Sequence, residues 1–328
     1  MIDSLDARTG VMICGHGSRD NEATVEFGGL AEKLRRHLPY PFVASGHLEF
    51  ARPTIREGLD ALRKAGARRI LAVPGMLFAA GHVKNDIPWE LNSFAAEHPE
   101  MTVEFGRELA IDPKLLAAAG DRIAQAEASS PRQVAREDSL LLVVGRGTND
   151  PDANGDVAKI ARMLWEGLGF GWGAVAYSGV AHPRVAAALT RAVRLGFRRV
   201  IVFPYFLFTG VLVKRIYAEV DQVAALNGDV EFVKARYLAD HDKVVEAFAE
   251  RVREILAGEN QMNCRLCKYR EQVIGYESAV GQVQVGHHLH VRGIGSGEHT
   301  HGHDHAHGHH HDHHHHHGDG AHSHSHDD

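Results

Sequence analysis

Two stretches of this 328-residue chain decide its fold: VMICGHGSRD at residues 11–20 and LLVVGRGTND at residues 141–150. In each stretch a short apolar run ends in a turn with two glycines, and the two turns lie 130 positions apart. The same offset aligns further identical residues, namely Pro53 with Pro183, Gly66 with Gly196, and Lys84 with Lys214. Because one offset is kept over about 70 residues, we interpret the chain as an internal duplication.

Each copy alternates apolar runs with amphipathic stretches. Runs such as Val11–Cys14 and Ile70–Val73 are typical of buried parallel strands. Residues 22–38 carry apolar side chains near helical spacing. Regular alternation of this kind predicts an α/β fold with a doubly wound parallel sheet in each of two tandem domains.

The predicted boundaries follow the repeat and the changes in composition. They give an N-terminal domain at 1–128, a linker at 129–137, a C-terminal domain at 138–257, a Cys-x-x-Cys segment at 258–298 and a His-rich tail at 299–328.

Composition excludes several classes of protein. The net charge is −6, but the tail holds five acids and no Lys or Arg, which leaves −1 for residues 1–298. A nearly neutral body argues against nucleic-acid binding. No apolar run approaches the roughly 18 residues of a membrane span. The first ten residues lack the basic flank and apolar core of a signal peptide, so we expect a cytoplasmic protein.

The tail dominates the metal-binding potential of the composition. It contains 16 of the 26 histidines and offers no apolar content for a core, so it is predicted to be disordered. Alternating histidines in a flexible chain bind several divalent metal ions. The hypotheses are metal storage, local metal delivery, or a solvated tail that catalysis does not need.

Two other histidines are the candidate functional pair. His16 follows the first predicted strand and His82 follows the third, and these strands are neighbours in the common order 2-1-3-4. Neutral imidazole binds Co²⁺, Fe²⁺ and Ni²⁺ and acts as a base near neutral pH. The duplicate positions are Arg146 and Leu212, so the scaffold was copied without the pair. This favours a functional pair over two loop histidines bonded to backbone.

Three motifs resemble those of a known family. Gly-His-Gly-Ser-Arg at 15–19, Glu-Phe-Ala-Arg-Pro-Thr-Ile at 49–55 and Gly-His-Val-Lys-Asn-Asp-Ile-Pro at 81–88 resemble the sirohydrochlorin cobaltochelatases. The long form of that family is similar in having two fused halves, a Cys-x-x-Cys segment and a His-rich region. The resemblance implies chelatase-like domains and a lyase of cobalamin and porphyrin biosynthesis. Such an enzyme inserts Co²⁺ into the tetrapyrrole sirohydrochlorin and releases protons without ATP. The lack of a Gly-x-x-x-x-Gly-Lys-Ser/Thr loop agrees with ATP independence.

The resemblance also implies roles for individual residues. His16 and His82 match the catalytic, metal-binding pair, with His16 as proton acceptor. At position 52 an acidic residue is usual, whereas this chain has Arg52, whose guanidinium suits a substrate rich in carboxylates. Arg19, Lys84 and Lys214 are also candidates to receive those carboxylates, and Arg146 is expected to bring a positive charge to the same crevice from the second copy. The implied substrate-binding residues are Arg52, Leu77, Phe78, Ala79, Ala80, Gly81 and His82.

Cys264 and Cys267 form the single Cys-x-x-Cys motif. The resemblance implies an iron–sulfur cluster, although a cubane cluster ordinarily takes four thiolates and this motif supplies two. A cluster would then need two chains or other ligands. Another metal, or redox or structural thiols, are the alternatives.

The sequence leaves alternatives for the function as a whole. Insertion of Fe²⁺ for siroheme, or of Ni²⁺, uses the same imidazole chemistry. A metal-storage or metallochaperone protein is the alternative of a different class. Two fused halves fit a monomer, and a shared cluster fits a homodimer.

Overall fold

The computed structural model describes residues 7–259 and 267–282, which belong to one compact unit. The described strands form two four-stranded parallel sheets, each with the order 2-1-3-4 within its copy. The duplicated, doubly wound α/β fold is therefore confirmed. The strands are β1 (Thr9–Gly15), β2 (Phe42–His47), β3 (Arg69–Pro74), β4 (Thr102–Phe105), β5 (Ser139–Gly145), β6 (Trp172–Tyr177), β7 (Arg199–Pro204) and β8 (Glu231–Lys234).

Helices cover both faces of the sheets. None of those in the described segments has the length and apolar character needed to cross a membrane. The α-helices are α1 (Asn21–His37), α2 (Ile55–Ala65), α3 (Ile87–Glu97), α4 (Pro113–Ala128), α5 (Pro151–Leu168), α6 (Val185–Arg194), α7 (Val211–Ala225) and α8 (Asp242–Ala257).

The turn after the first strand of each copy ends in an aspartate that caps the following helix. Asp20 caps α1 by accepting a hydrogen bond from the Glu22 backbone N–H, and Asp150 caps α5 through Asp152. Carboxylates are favourable at this position because helix N-termini leave backbone donors unpaired. The central strands β1 and β5 are fully buried, which explains why their sequences are continuously apolar.

The last helix of each copy packs against the other copy. Helix α8 contacts β3 and α1, whereas α4 contacts α5 and β8, and α4 and α8 also pack together. The fit at α8 is close, because a Cβ at Gly106 would come within 2.9 Å of the Ile255 side chain. The buried Arg251 of α8 pairs with Asp112, which caps α4. The predicted boundaries at 128 and 257 fall at the ends of these helices and, as a division into domains, stay a prediction.

Two reciprocal ion pairs join the copies. Lys84 Nζ lies 2.7 Å from Asp150 Oδ2, and Lys214 Nζ lies 2.8 Å from Asp20 Oδ2. The four residues are duplicates of one another at the 130-residue offset, so the contact has the reciprocity of a twofold interface. Only the first pair is buried, with 2% and 0% of the two side chains exposed, against 51% and 9% for the second.

The segment 267–282 begins next to the buried pair. Lys268 is buried and donates a hydrogen bond from Nζ to the carbonyl of Asn149, next to Asp150. Cys267 is also buried. Cys264 and the His-rich tail, both named above as metal-binding candidates, lie outside the described residues.

We predict that the two ion pairs contribute unequally to the free energy of unfolding. Burial alone would lower the pKa of Lys84, but the Asp150 carboxylate outweighs it and raises that pKa. Lys84→Met would leave Asp150 buried without its ion-pair partner and should reduce the free energy of unfolding by about 3–5 kcal/mol. The duplicate change Lys214→Met should have a much smaller effect, because that pair is solvated and screened. Urea unfolding of both variants checks this, and equal losses would contradict it.

Candidate metal centre

Three side chains converge at the carboxyl edge of the first sheet. His16 follows β1, Glu49 follows β2 and His82 follows β3, and their ligand atoms all lie within 4.8 Å of one another. The imidazoles of His16 and His82 stand edge to face with their centroids 4.6 Å apart. Neighbouring parallel strands end at the same edge, so the strand order brings the two histidines together as the sequence predicted.

Hydrogen bonds to the other ring nitrogens orient both imidazoles. His16 Nδ1 lies 2.9 Å from the Gly17 carbonyl, which assigns a proton to Nδ1 and a lone pair to Nε2. Nε2 lies 3.5 Å from Glu49 Oε1 and is a buried atom without a hydrogen-bond partner in the described part of the chain. A buried ring nitrogen of this kind, beside a carboxylate, fits a metal ion.

The carboxylate of Asp86 holds the second imidazole. His82 Nδ1 lies 2.6 Å from Asp86 Oδ2, and only 2% of the Asp86 side chain is exposed. A carboxylate behind a histidine is the usual support of a metal-binding imidazole. Both residues belong to one π-helical turn, His82–Asp86, that leads into α3. Such turns occur frequently at functional sites.

The site keeps its imidazole ligand neutral. Burial, followed by the neighbouring His82 and then Arg146, lowers the pKa of His16 to about 3. At neutral pH the lone pair of His16 is therefore available to a cation. Arg146 comes from the second copy and is exposed at the cavity. The surrounding protein removes part of the water around its guanidinium and lowers its pKa, while Glu49 opposes that shift.

A cavity of about 580 Å³ opens at His16 and His82 and is lined by both copies. This volume is in the range of small-molecule sites. The wall from the second copy contains Phe206, Leu207 and Phe208, the duplicates of Met76, Leu77 and Phe78. The lining of the cavity is mainly apolar, so the cavity suits a flat hydrophobic ring with polar groups at a few points.

The predicted substrate-binding residues divide between the cavity and its surroundings. Leu77, Phe78, Ala80 and His82 line the cavity, whereas Ala79 is buried behind it and Gly81 is not part of the lining. Arg52 also lies outside the lining, because its exposed side chain pairs with Glu57 at 3.3 Å.

The candidate cations are also placed differently from one another. Arg19 lines the cavity and lies over the Phe50 ring, 4.8 Å from its centroid. Lys84 and Lys214 do not line the cavity, because both form the ion pairs that join the copies. The expectation that these lysines receive carboxylates is not supported by their position.

Glu49 is the donor that the sequence analysis missed. Its motif was recognised, but its carboxylate was not singled out among 42 acidic residues. The duplication could have indicated Glu49, because its duplicate position is occupied by Gly179. In the same way, the duplicate positions of His16 and His82 are occupied by Arg146 and Leu212. All three donors are therefore peculiar to the first copy.

Two α/β copies that enclose an apolar cavity beside a His-Glu-His cluster are the arrangement expected of a metal chelatase, an enzyme that brings a cation to a macrocycle. A model of the CbiX family matches residues 10–126 and 140–255. A sirohydrochlorin cobaltochelatase of Priestia megaterium is 35% identical over 79% of this chain and 84% of its own length. A sirohydrochlorin ferrochelatase of the same organism is 32% identical over 78% and 92%.

Solved structures agree with the family match. SirB from Bacillus subtilis with Fe³⁺ is 30% identical, with a TM-score of 0.68 over 77% of this chain and 99% of that one. A SirB structure from B. subtilis subspecies spizizenii in complex with cobalt is 29% identical, with a TM-score of 0.64 over 76% and 96%. The chain belongs to the CbiX family of sirohydrochlorin chelatases and is an enzyme of the chelatase class.

The contact between the Asp86 carboxylate and the His82 imidazole leads to a prediction for metal affinity. Asp86→Asn keeps the shape of the side chain but removes the carboxylate charge that holds and orients the His82 imidazole. The affinity for Co²⁺ should fall by about 10–100-fold, measured by calorimetric titration. Asp60→Asn, on the surface of α2, serves as the control. An affinity unchanged by Asp86→Asn would show that His82 does not depend on this carboxylate as a metal ligand.

Proposed function

We propose that the enzyme is a sirohydrochlorin cobaltochelatase, which inserts Co²⁺ into sirohydrochlorin without ATP and releases two protons during cobalamin biosynthesis. The observation that carries the proposal is the convergence of His16, Glu49 and His82 beside an apolar cavity. The enzymatic relatives favour this over the storage or metallochaperone hypothesis.

The three donors suit a metal ion that must be passed on. Two imidazoles and one carboxylate bind a divalent cation but leave coordination positions open toward the cavity, as in sites where a metal reacts. The tetrapyrrole would lie between the apolar walls, with one face toward the ion. Leu77 and Phe78 from the first copy and Phe208 from the second are placed to contact the ring.

Release of the ion also frees the base. Insertion forms bonds from the metal to the ring nitrogens and breaks two N–H bonds, so two protons must leave. When His16 gives up the ion, its unprotonated Nε2 lone pair is left at the cavity, in the position of a proton acceptor. Glu49, 3.5 Å away, is a second acceptor at the same point.

Cobalt specificity is the finer part of the proposal. The cobaltochelatase relative has a slightly higher identity than the ferrochelatase of the same organism, at 35% against 32%. Insertion of Fe²⁺ for siroheme is the second candidate, because the Fe³⁺ complex of SirB shows the same fold. Ni²⁺ is the third, since imidazole and carboxylate ligands accept all three ions.

A metal-by-metal insertion assay tests the proposal. Anaerobically purified protein is mixed with sirohydrochlorin and Co²⁺, Fe²⁺ or Ni²⁺, and the absorbance change of the tetrapyrrole is followed. We expect Co²⁺ insertion to be accelerated most, and His16→Ala and His82→Ala to lose at least about 100-fold in rate, the lower range for lost acid–base catalysis. His37→Ala, on the exposed surface of α1, should retain full activity. If no metal is inserted faster than without enzyme, the proposal fails.

The Cys-x-x-Cys motif has a separate test. The iron–sulfur role of Cys264 and Cys267 stays a prediction, as do a cytoplasmic location and a monomeric or homodimeric state. Iron and sulfide analysis of the anaerobic preparation, compared with Cys264→Ser protein, tests the cluster. Wild-type protein without bound iron and sulfide would leave the alternatives of another metal, or of redox or structural thiols.

We propose that the His-rich tail collects metal for the site without taking part in insertion. A chain ending at residue 298 should keep its kcat at saturating Co²⁺, because His16, Glu49 and His82 remain. At limiting Co²⁺ its rate should fall below that of the full chain. Initial rates at both metal concentrations check this, and a lower kcat at saturation would give the tail a direct role.

A further inference from the structure

Arg146 is the cation that the duplication places opposite the metal donors. It follows β5 at the position that His16 occupies after β1, and it lines the same cavity as His16 and His82. Its side chain makes no hydrogen bond or ion pair with any residue in the described ranges 7–259 and 267–282. By contrast, Arg19 is held over the Phe50 ring.

Some of the other polar groups of the cavity are already paired within the protein. Asn154 accepts a hydrogen bond from the Thr148 backbone N–H and donates one to the Thr148 carbonyl. The Thr209 backbone N–H donates to Glu26. The unpaired guanidinium of Arg146 is therefore a strong available donor group in a mainly apolar cavity.

The charge of Arg146 acts on the metal site. Its guanidinium lines the same cavity as the imidazoles of His16 and His82. This positive charge disfavours a divalent cation at His16, Glu49 and His82, because like charges that share one cavity repel each other. A cation beside a cation site is therefore unfavourable until an anion arrives.

We propose that Arg146 binds a carboxylate of the tetrapyrrole, determines specificity for a carboxylated macrocycle, and thereby couples substrate binding to metal binding. The inference rests on the proposed function, which supplies a substrate rich in carboxylates. A guanidinium binds a carboxylate through two parallel hydrogen bonds, so it fixes the orientation of the ring as well as its charge. Once neutralised by the substrate, Arg146 no longer opposes the metal ion. By linkage, metal and substrate then favour each other.

The proposal is tested by the opposite effects that replacing Arg146 should have on the binding of Co²⁺ and of sirohydrochlorin. Arg146→Gln removes the charge, so the affinity for Co²⁺ in the absence of substrate should rise, by about tenfold for a repulsion of 1.4 kcal/mol. The KM for sirohydrochlorin should rise by about 10–100-fold, the range for a lost hydrogen bond to a charged group, with a smaller change in kcat. A residue with a merely structural role would weaken both ligands when it is replaced.

Two further variants complete the design. Arg146→Lys keeps the charge, so its Co²⁺ affinity should equal that of the wild type. Its KM for sirohydrochlorin should lie between those of the wild type and Arg146→Gln, because lysine lacks the planar guanidinium that makes two parallel hydrogen bonds. Arg194→Gln, on the exposed end of α6, should change neither quantity. Calorimetry measures Co²⁺ binding, and fluorescence measures the binding of metal-free sirohydrochlorin.

The measurements separate this inference from the proposed function. Both binding titrations are independent of turnover, so a wild-type protein without insertion activity would refute the proposed function alone. Arg146→Gln protein that binds Co²⁺ no more tightly than wild type, or binds sirohydrochlorin equally well, would overturn the role of Arg146.

Discussion

The packing of α8 against β3 and α1 holds the carboxyl edges of the two sheets around one cavity. The last helix of each copy packs against the other copy, and the Lys84–Asp150 and Lys214–Asp20 ion pairs also join the two copies. Without these contacts, the apolar wall that contains Phe208 would not face His16 across the cavity. The site therefore depends on the interface between the copies as much as on the sheet that carries the donors.

A symmetric scaffold here carries asymmetric chemistry. The first copy supplies His16, Glu49 and His82, whereas the duplicate positions supply Arg146, Gly179 and Leu212. A planar macrocycle receives its metal through one face, so one donor set is sufficient and the opposite wall is free for other uses. That wall is mainly apolar but keeps one guanidinium, which suits a ring whose periphery carries carboxylates.

The repeat and the strand–helix alternation were sufficient to predict the sheets and the meeting of His16 and His82. Parallel strand order fixes which loops are neighbours, and the offset showed which histidines were not copied. The exchange of α4 and α8 could not be predicted in this way, because the apolar face of a helix shows that it is covered but not by which sheet. The same holds for Lys84, whose buried partner Asp150 lies 66 residues away. Glu49 was within reach, since β2 adjoins β1 in the predicted order and the duplicate of Glu49 is a glycine.

The number of donors matters as much as their identity. A closed tetrahedral site holds its ion for structural purposes, whereas an ion destined for a ring must keep open positions. Within the described residues, the trio of His16, Glu49 and His82 offers three ligands, and a further group at the cavity, Arg146, is a cation that cannot coordinate a metal. An ion bound by this trio would be held on one side only. Ring nitrogens can approach from the other side, so the arrangement favours transfer over storage.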